Sequence, residues 1–153
     1  DDILYLSVKR ITKRIAIWKH FMGICGFDFS ARAGDDDINQ DFYTYLNKLL
    51  DAFVALHGVK ILPNFRTAGS MASLNILRLY PPNGIFAVGT LGCGGSENFN
   101  STLLRYKLLL TRPKHLVIYG KLKDAFRKIL EEFAVNYSVF EDYNRRSRKG
   151  EFK

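Results

Sequence analysis

The sequence predicts an α/β domain, built on a mainly parallel sheet of four to five strands with helices on both faces; a partial β/α barrel is the alternative. Three observations predict it. Short apolar runs, each too short for a helix, recur along the chain. Stretches of helical periodicity separate them, so strand and helix alternate at intervals of roughly 25–35 residues, the length of a βαβ unit. The runs are apolar almost throughout, as strands buried on both faces are. With 153 residues, 47% of them hydrophobic, the chain suits one ordinary core. It reads as a single domain over residues 1–143 followed by a tail over 144–153.

The first element is a basic amphipathic helix within residues 1–21. Val8, Ile11, Ile15, Trp18 and Met22 follow at helical spacing and form a docking stripe. The opposite side carries Lys9, Arg10, Lys13 and Arg14, which read either as contacts to phosphates or as a solvated face. A first strand falls within residues 22–28. Asp35, Asp36 and Asp37 then suit a magnesium site less well than a solvated loop entering a helix, where acids complement the dipole. Residues 41–57 repeat apolar side chains at Phe42, Tyr45, Leu46, Leu49, Leu50, Phe53 and Val54, and Gly58 stops that helix.

A second strand spans residues 59–64. A shorter helix over 70–79 is closed by Pro81, Pro82 and the turn pair Asn83-Gly84. A third strand covers 84–90. Asn100 caps a helix running to residue 110, with Pro113 beyond its end. The fourth strand covers 115–120, and a helix over 122–133 presents Phe126, Ile129, Leu130 and Phe133 on one side. Residues 135–140 add an edge strand.

Charge narrows the partners. The net charge is +8, and an anionic partner follows, nucleic acid or a nucleotide first. Residues 52–123 hold nine Lys and Arg against one acid, Glu97, while six of the fifteen acids crowd residues 28–51. The tail carries Arg145, Arg146, Arg148 and Lys149 without apolar periodicity. It reads as a flexible arm for an anionic polymer or as a solubilising end. Two cysteines, Cys25 and Cys93, with no C-x-x-C, give no zinc framework and point to a reducing, cytoplasmic setting. No apolar run approaches the ~20 residues of a membrane helix. Oligomeric state is left open.

Ligands of parallel α/β sheets bind beyond the carboxyl ends of the strands, where loops and helix N-termini converge. That rule selects Asp28, Ser30 and Arg32 after the first strand and Asn64 and Arg66 after the second. It selects Thr90 with the loop of Gly92 and Gly94 after the third, and Tyr119, Gly120 and Lys121 after the fourth. A carboxylate among cations and backbone amides suits a phosphate ester, with or without a divalent metal. Asp28 would be general base or metal ligand, with Arg66 and Lys121 as phosphate clamps. The glycines at 89, 92, 94 and 95 match neither G-x-G-x-x-G nor G-x-x-x-x-G-K-[ST], which leaves a looser nest of N–H groups or a plain surface loop. Cys93 has no histidine placed to activate it, because His20, His57 and His115 all precede strands.

The segments "GFDFS", "GVKILPNFR", "IFAVGTLG" and "RPKHLVIYGK" resemble an uncharacterised family found in bacteriophages, plasmids and integrative elements, the domain of unknown function four-four-one-seven. The resemblance covers about residues 23–130 and is closest at Arg112-Pro113, Tyr119-Gly120 and Asp28-Phe29-Ser30. It implies successive βα units and a mobile-element setting, supplies no established activity, and points to Asp28, Ser30, Thr90, Gly92, Tyr119 and Gly120. The sequence departs from the pattern at Gly89-Thr90, at Phe65-Arg66 and in an acidic insertion over 34–37. Three functions are consistent with these readings: nucleic-acid binding by a mobile-element protein, an enzyme acting on a small phosphorylated or nucleotide ligand, and a protein-binding module directed at a host factor.

Overall fold

The computed structural model describes residues 8–29, 35–65, 74, 76–89, 97–141 and 143–148. In chain order the elements are α1 (Val8–Trp18), β1 (Ile24–Cys25), α2 (Asp37–Leu56), β2 (Ile61–Leu62), a 3-10 turn (Ile76–Leu79), β3 (Ile85–Gly89), α3 (Glu97–Thr111), β4 (His115–Tyr119), α4 (Asp124–Glu132), β5 (Asn136–Phe140) and α5 (Tyr143–Arg148). The alternation bears out the α/β class.

Among the described residues every strand pairing is parallel. Ile24 of β1 stands opposite Ile61 of β2, and Ile85, His115 and Asn136 align β3, β4 and β5. The two groups meet where Asn64 bridges Ala87: the Phe65 N–H donates to Ala87 O at 2.6 Å, and the Ala87 N–H donates to Pro63 O at 2.9 Å. The strands therefore run side by side in chain order, without the reversal that marks a doubly wound sheet. Right-handed crossovers in such an order carry successive helices to the same face, as in a segment of a β/α barrel.

Packing agrees with that topology. Phe86, Leu116 and Ile118 point to one face of β3 and β4 and join Phe65, Leu108 of α3, and Ile129 and Leu130 of α4 in one apolar cluster. On the other face Ile85, Tyr119 and Phe140 are 40–55% exposed. A second cluster gathers Ile11 and Ile15 of α1 with Phe27, Val54 and Val59, and Trp18 meets Phe27 edge to face with ring centroids 6.1 Å apart.

Several boundaries differ from expectation for identifiable reasons. α1 ends at Trp18, so Met22, 91% exposed, falls outside the docking stripe, and Val8 is also exposed. α2 starts at Asp37 because Asp36 caps it: Asp36 Oδ1 accepts the Asn39 N–H and Oδ2 accepts from Asn39 Nδ2, both at 2.8 Å. The acids thus serve the helix start, the favoured reading. α3 begins at Glu97, three residues before Asn100. Of the helix expected over 70–79, the described part is helical at Leu74 and a 3-10 turn over Ile76–Leu79. The tail's first residues are helical, within α5, where no periodicity had predicted a helix.

Candidate functional site

Five strands running one way bring their carboxyl ends to a common rim. Asp28 lies three residues beyond Cys25, Asn64 two beyond Leu62, and Gly120 and Lys121 directly follow β4. Ser30, Arg32, Arg66, Thr90, Gly92 and Gly94 lie outside the described residues. β1 and β4 are three strand spacings apart, so Asp28 and Lys121 stand roughly 14 Å from each other along the rim. Arg66, the other cation expected at this crevice, lies outside the described residues, and a nucleotide-sized ligand spans the distance from Asp28 to Lys121.

The β1 end is built from α2, and from its polar side. Gln40, Thr44, Asn47 and Asp51 recur at spacings of four, three and four, and all are buried. Asp51 Oδ1 accepts the Phe27 N–H at 2.8 Å. Asn47 Oδ1 accepts the Phe29 N–H at 2.7 Å, and its Nδ2 donates to Phe29 O at 3.2 Å. Gln40 Nε2 donates to Asp35 O at 2.7 Å. β1 pairs over only two residues, and after the Gly26 N–H donates to Leu62 O at 2.8 Å, the N–H groups of Phe27 and Phe29 take side-chain acceptors instead. Asp28 is thereby held between two pinned neighbours. Gly26 is required beneath them, because a Cβ there would stand 2.6 Å from Asp51 Oδ2 and 3.0 Å from the Asn64 N.

Lys48 reaches into the same corner. Its Nζ donates to Asn64 O at 3.0 Å, lies 4.0 Å from Asp51 Oδ2, and sits 4.5 Å from the centre of the Tyr80 ring. Tyr80 OH also approaches Asn64 O, at 3.4 Å. From α3, Lys107 Nζ donates to the next carbonyl, Phe65 O, at 3.0 Å. Burial dominates the electrostatics. It pulls the Lys48 ammonium down to about 8 against the attraction of Asp51 and Asp28. It pushes the Asp51 carboxyl up despite the Phe27 N–H and Lys48. Both partners move toward their neutral forms, so desolvation outweighs the 4.0 Å attraction between them. A lysine in this state exchanges its proton near neutral pH.

The β4 end is simpler. The Tyr119 ring covers Gly89, where a Cβ would stand 2.7 Å from Tyr119 Cζ. Gly120 has φ 103°, and its N–H donates to Phe140 O at 2.8 Å, so the sheet uses that N–H. Lys121 is exposed. Away from the rim, Lys9, Arg10, Lys13 and Arg14 are exposed along α1. Arg145, Arg146 and Arg148 belong to α5, while Lys149 lies outside the described residues. Among the described residues no three His, Cys, Asp or Glu side chains gather where a metal ion could bind.

Residues 2–142 match the family described as a domain of unknown function, DUF4417, a span that includes all five strands. The chain belongs to this family. No curated protein and no solved structure matches it. Among the described residues of this DUF4417 domain, no helix is long and apolar enough to cross a membrane.

Sequence reasoning about this DUF4417 domain missed Asn47, Lys48, Asp51, Tyr80 and Lys107. A signal was present. The polar positions 40, 44, 47 and 51 keep helical register as regularly as the apolar ones, and Lys107 is a charge followed directly by three leucines. The apolar stripe read on α2 divides: Val54 is buried, Leu46, Leu50 and Phe53 are half-buried, and Phe42, Tyr45 and Leu49 are exposed.

Proposed function

We propose that the protein binds a nucleotide or another small phosphate ester at the β1–β2 end of its carboxyl rim. The observation that carries this reading is the two-sided clamp on Asp28: Asp51 fixes Phe27 and Asn47 fixes Phe29. Buried polar side chains committed to positioning one short segment are the support a binding or catalytic carboxylate needs. In the enzymatic form of the proposal, Asp28 accepts the proton of a water or hydroxyl attacking the phosphate, or ligates a divalent metal. Lys48 offsets the developing negative charge from below the rim. The ligand's far end extends toward Tyr119 and Lys121.

The test is calorimetric titration of ATP, AMP and inorganic phosphate into the wild-type chain, Asp28→Asn and Lys48→Met, with circular dichroism confirming the fold. Binding to the wild type that weakens at least tenfold in Lys48→Met, together with loss of any turnover in Asp28→Asn, supports the proposal. Failure of all three ligands to bind, or binding indifferent to both substitutions, removes it.

A second reading rests on α1. Ile11 and Ile15 are buried while Lys9, Arg10, Lys13 and Arg14 all face solvent, a cationic strip on a packed helix. Nucleic acid of a mobile element in a cytoplasmic setting is the partner it fits. Four phosphate contacts predict that affinity for a duplex oligonucleotide falls roughly 10²-fold between 50 and 200 mM salt. The same loss should follow replacement of the four cations by glutamine at low salt. Salt-independent binding rejects this reading.

A further inference from the structure

α2 presents to solvent the face that amphipathic helices usually bury. Ile38, Phe42, Tyr45, Leu49 and Leu56 are 51–87% exposed, and Ala52, also exposed, completes the row. Their spacings are four, three, four, three and four, the alternation of a two-helix coiled-coil seam. The buried polar stripe at 40, 44, 47 and 51 lies on the opposite side. The outward row is therefore fixed by the clamp that holds the rim and cannot be turned inward without breaking it.

We infer that this row is the interface of a homodimer in which α2 packs antiparallel against α2 of a second copy. Three features select a second copy running in that direction. The row is symmetric about position 47, so antiparallel pairing sets Ile38 against Leu56, Phe42 against Ala52 and Tyr45 against Leu49. Each layer then joins the two alternate heptad positions, and the Phe42 ring meets Ala52, the smallest side chain of the row. A two-fold axis through the centre makes the contact isologous and closed.

The charges at the helix ends agree. The start of α2 carries Asp36 and Asp37, both exposed, while exposed Lys60 follows its end, and Lys19 Cε would lie 3.7 Å from a Cβ on Gly58. Antiparallel pairing brings the acidic end of each copy to the basic end of the other. A parallel pair would place like charges together. Size agrees too. A 20-residue helix is about 30 Å long, and two such seams bury roughly 1,000 Å² in total, the lower end for specific association.

The full chain should sediment at twice 17.5 kDa at high micromolar concentration and dissociate on dilution. Leu49→Lys and, separately, Phe42→Lys should each leave a folded monomer, with the helical circular dichroism signal retained, because both sites are exposed. Direction is read by cross-linking in a Cys25→Ser, Cys93→Ser background. Ile38→Cys and Leu56→Cys should form a disulfide when mixed and none alone, since two copies of position 38 lie about 27 Å apart in an antiparallel pair. A monomer at every concentration overturns the inference. So does a dimer that survives both lysine substitutions, or self-cross-linking of Ile38→Cys.

Discussion

The two ends of the sheet are held by different means. β3, β4 and β5 pair over five residues each, and Phe65, Phe86, Leu116 and Ile118 pack with α3 and α4 in an apolar cluster. β1 and β2 pair over two residues, and the chain beyond β1 is fastened by Asn47 and Asp51 of α2. At one end the strands pair along their full five-residue lengths and apolar burial dominates. At the other, a two-residue pairing and the apolar cluster around Phe27 and Val54 are supplemented by buried polar side chains beyond the strand, and these carry a desolvated lysine and carboxylate with them. Positioning is gained there and stability is lost, and the candidate site lies at that end.

The sharpest way to break the comparison is to empty the apolar end. Phe65 is fully buried between Phe86 and the helices, so Phe65→Ala should cost about 3–5 kcal/mol, measured by urea denaturation. A loss under about 1 kcal/mol would show that this cluster is not where stability resides.

The polar end should announce itself through pH. Lys48 titrates at about 8 in the folded protein, against an ordinary value of 10.5. Between those values the unfolded chain holds a proton that the folded chain has released, so stability rises with pH across that window. At pH 7 the cost of the buried ammonium is fully present. Relative to Lys48→Met, the wild type should gain roughly 3 kcal/mol as pH rises from 7 to 10.5. Parallel stability curves for the two proteins would mean that Lys48 is hydrated and the corner is not desolvated.

How much of this was legible in the sequence follows the same division. Pairing direction and β3 through β5 were readable because short apolar runs between helical stretches leave few topologies, whereas strand order was not, since the same alternation serves an open sheet and a barrel segment. The rim was readable for the same reason, and Asp28 and Asn64 with it. The support beneath the rim was not. α2 contains two stripes of opposite character, and periodicity alone does not say which faces inward. Burying Asn47 and Asp51 is favourable because the N–H groups of Phe27 and Phe29, beyond the last strand bond from Gly26 to Leu62, take them as acceptors, a tertiary fact. Lys48 was hidden similarly, since a lysine on an apolar helix ordinarily extends to water.

Asp51 separates hydrogen bonding from charge at that end. Asp51→Asn keeps an oxygen for the Phe27 N–H while removing a carboxylate that burial disfavours, so it should change stability by less than about 1 kcal/mol. Asp51→Ala leaves the Phe27 N–H and the Lys48 ammonium without it and should cost roughly 2–3 kcal/mol. Equal losses in the two variants would assign the role to charge, and the clamp on Asp28 would lose its main support.

The smallest effect compares how the two ends stop their helices. At the end of α2, the Gly58 N–H donates to Ala55 O and the Val59 N–H to Val54 O, with Gly58 at φ 84°. At the end of α4, the Ala134 N–H donates to Glu131 O and the Val135 N–H to Leu130 O, with Ala134 at φ 51°. The turn is the same, a Schellman motif, but one copy uses glycine and the other forces alanine into left-handed backbone. The apolar end can absorb that strain because Val135 and Leu130 pack together in its core. Ala134→Gly should therefore stabilise the protein by about 1 kcal/mol and Gly58→Ala should destabilise it by a similar amount, both read from denaturation midpoints. If Ala134→Gly destabilises instead, the left-handed turn after α4 is wrong, and the contrast between the two helix ends goes with it.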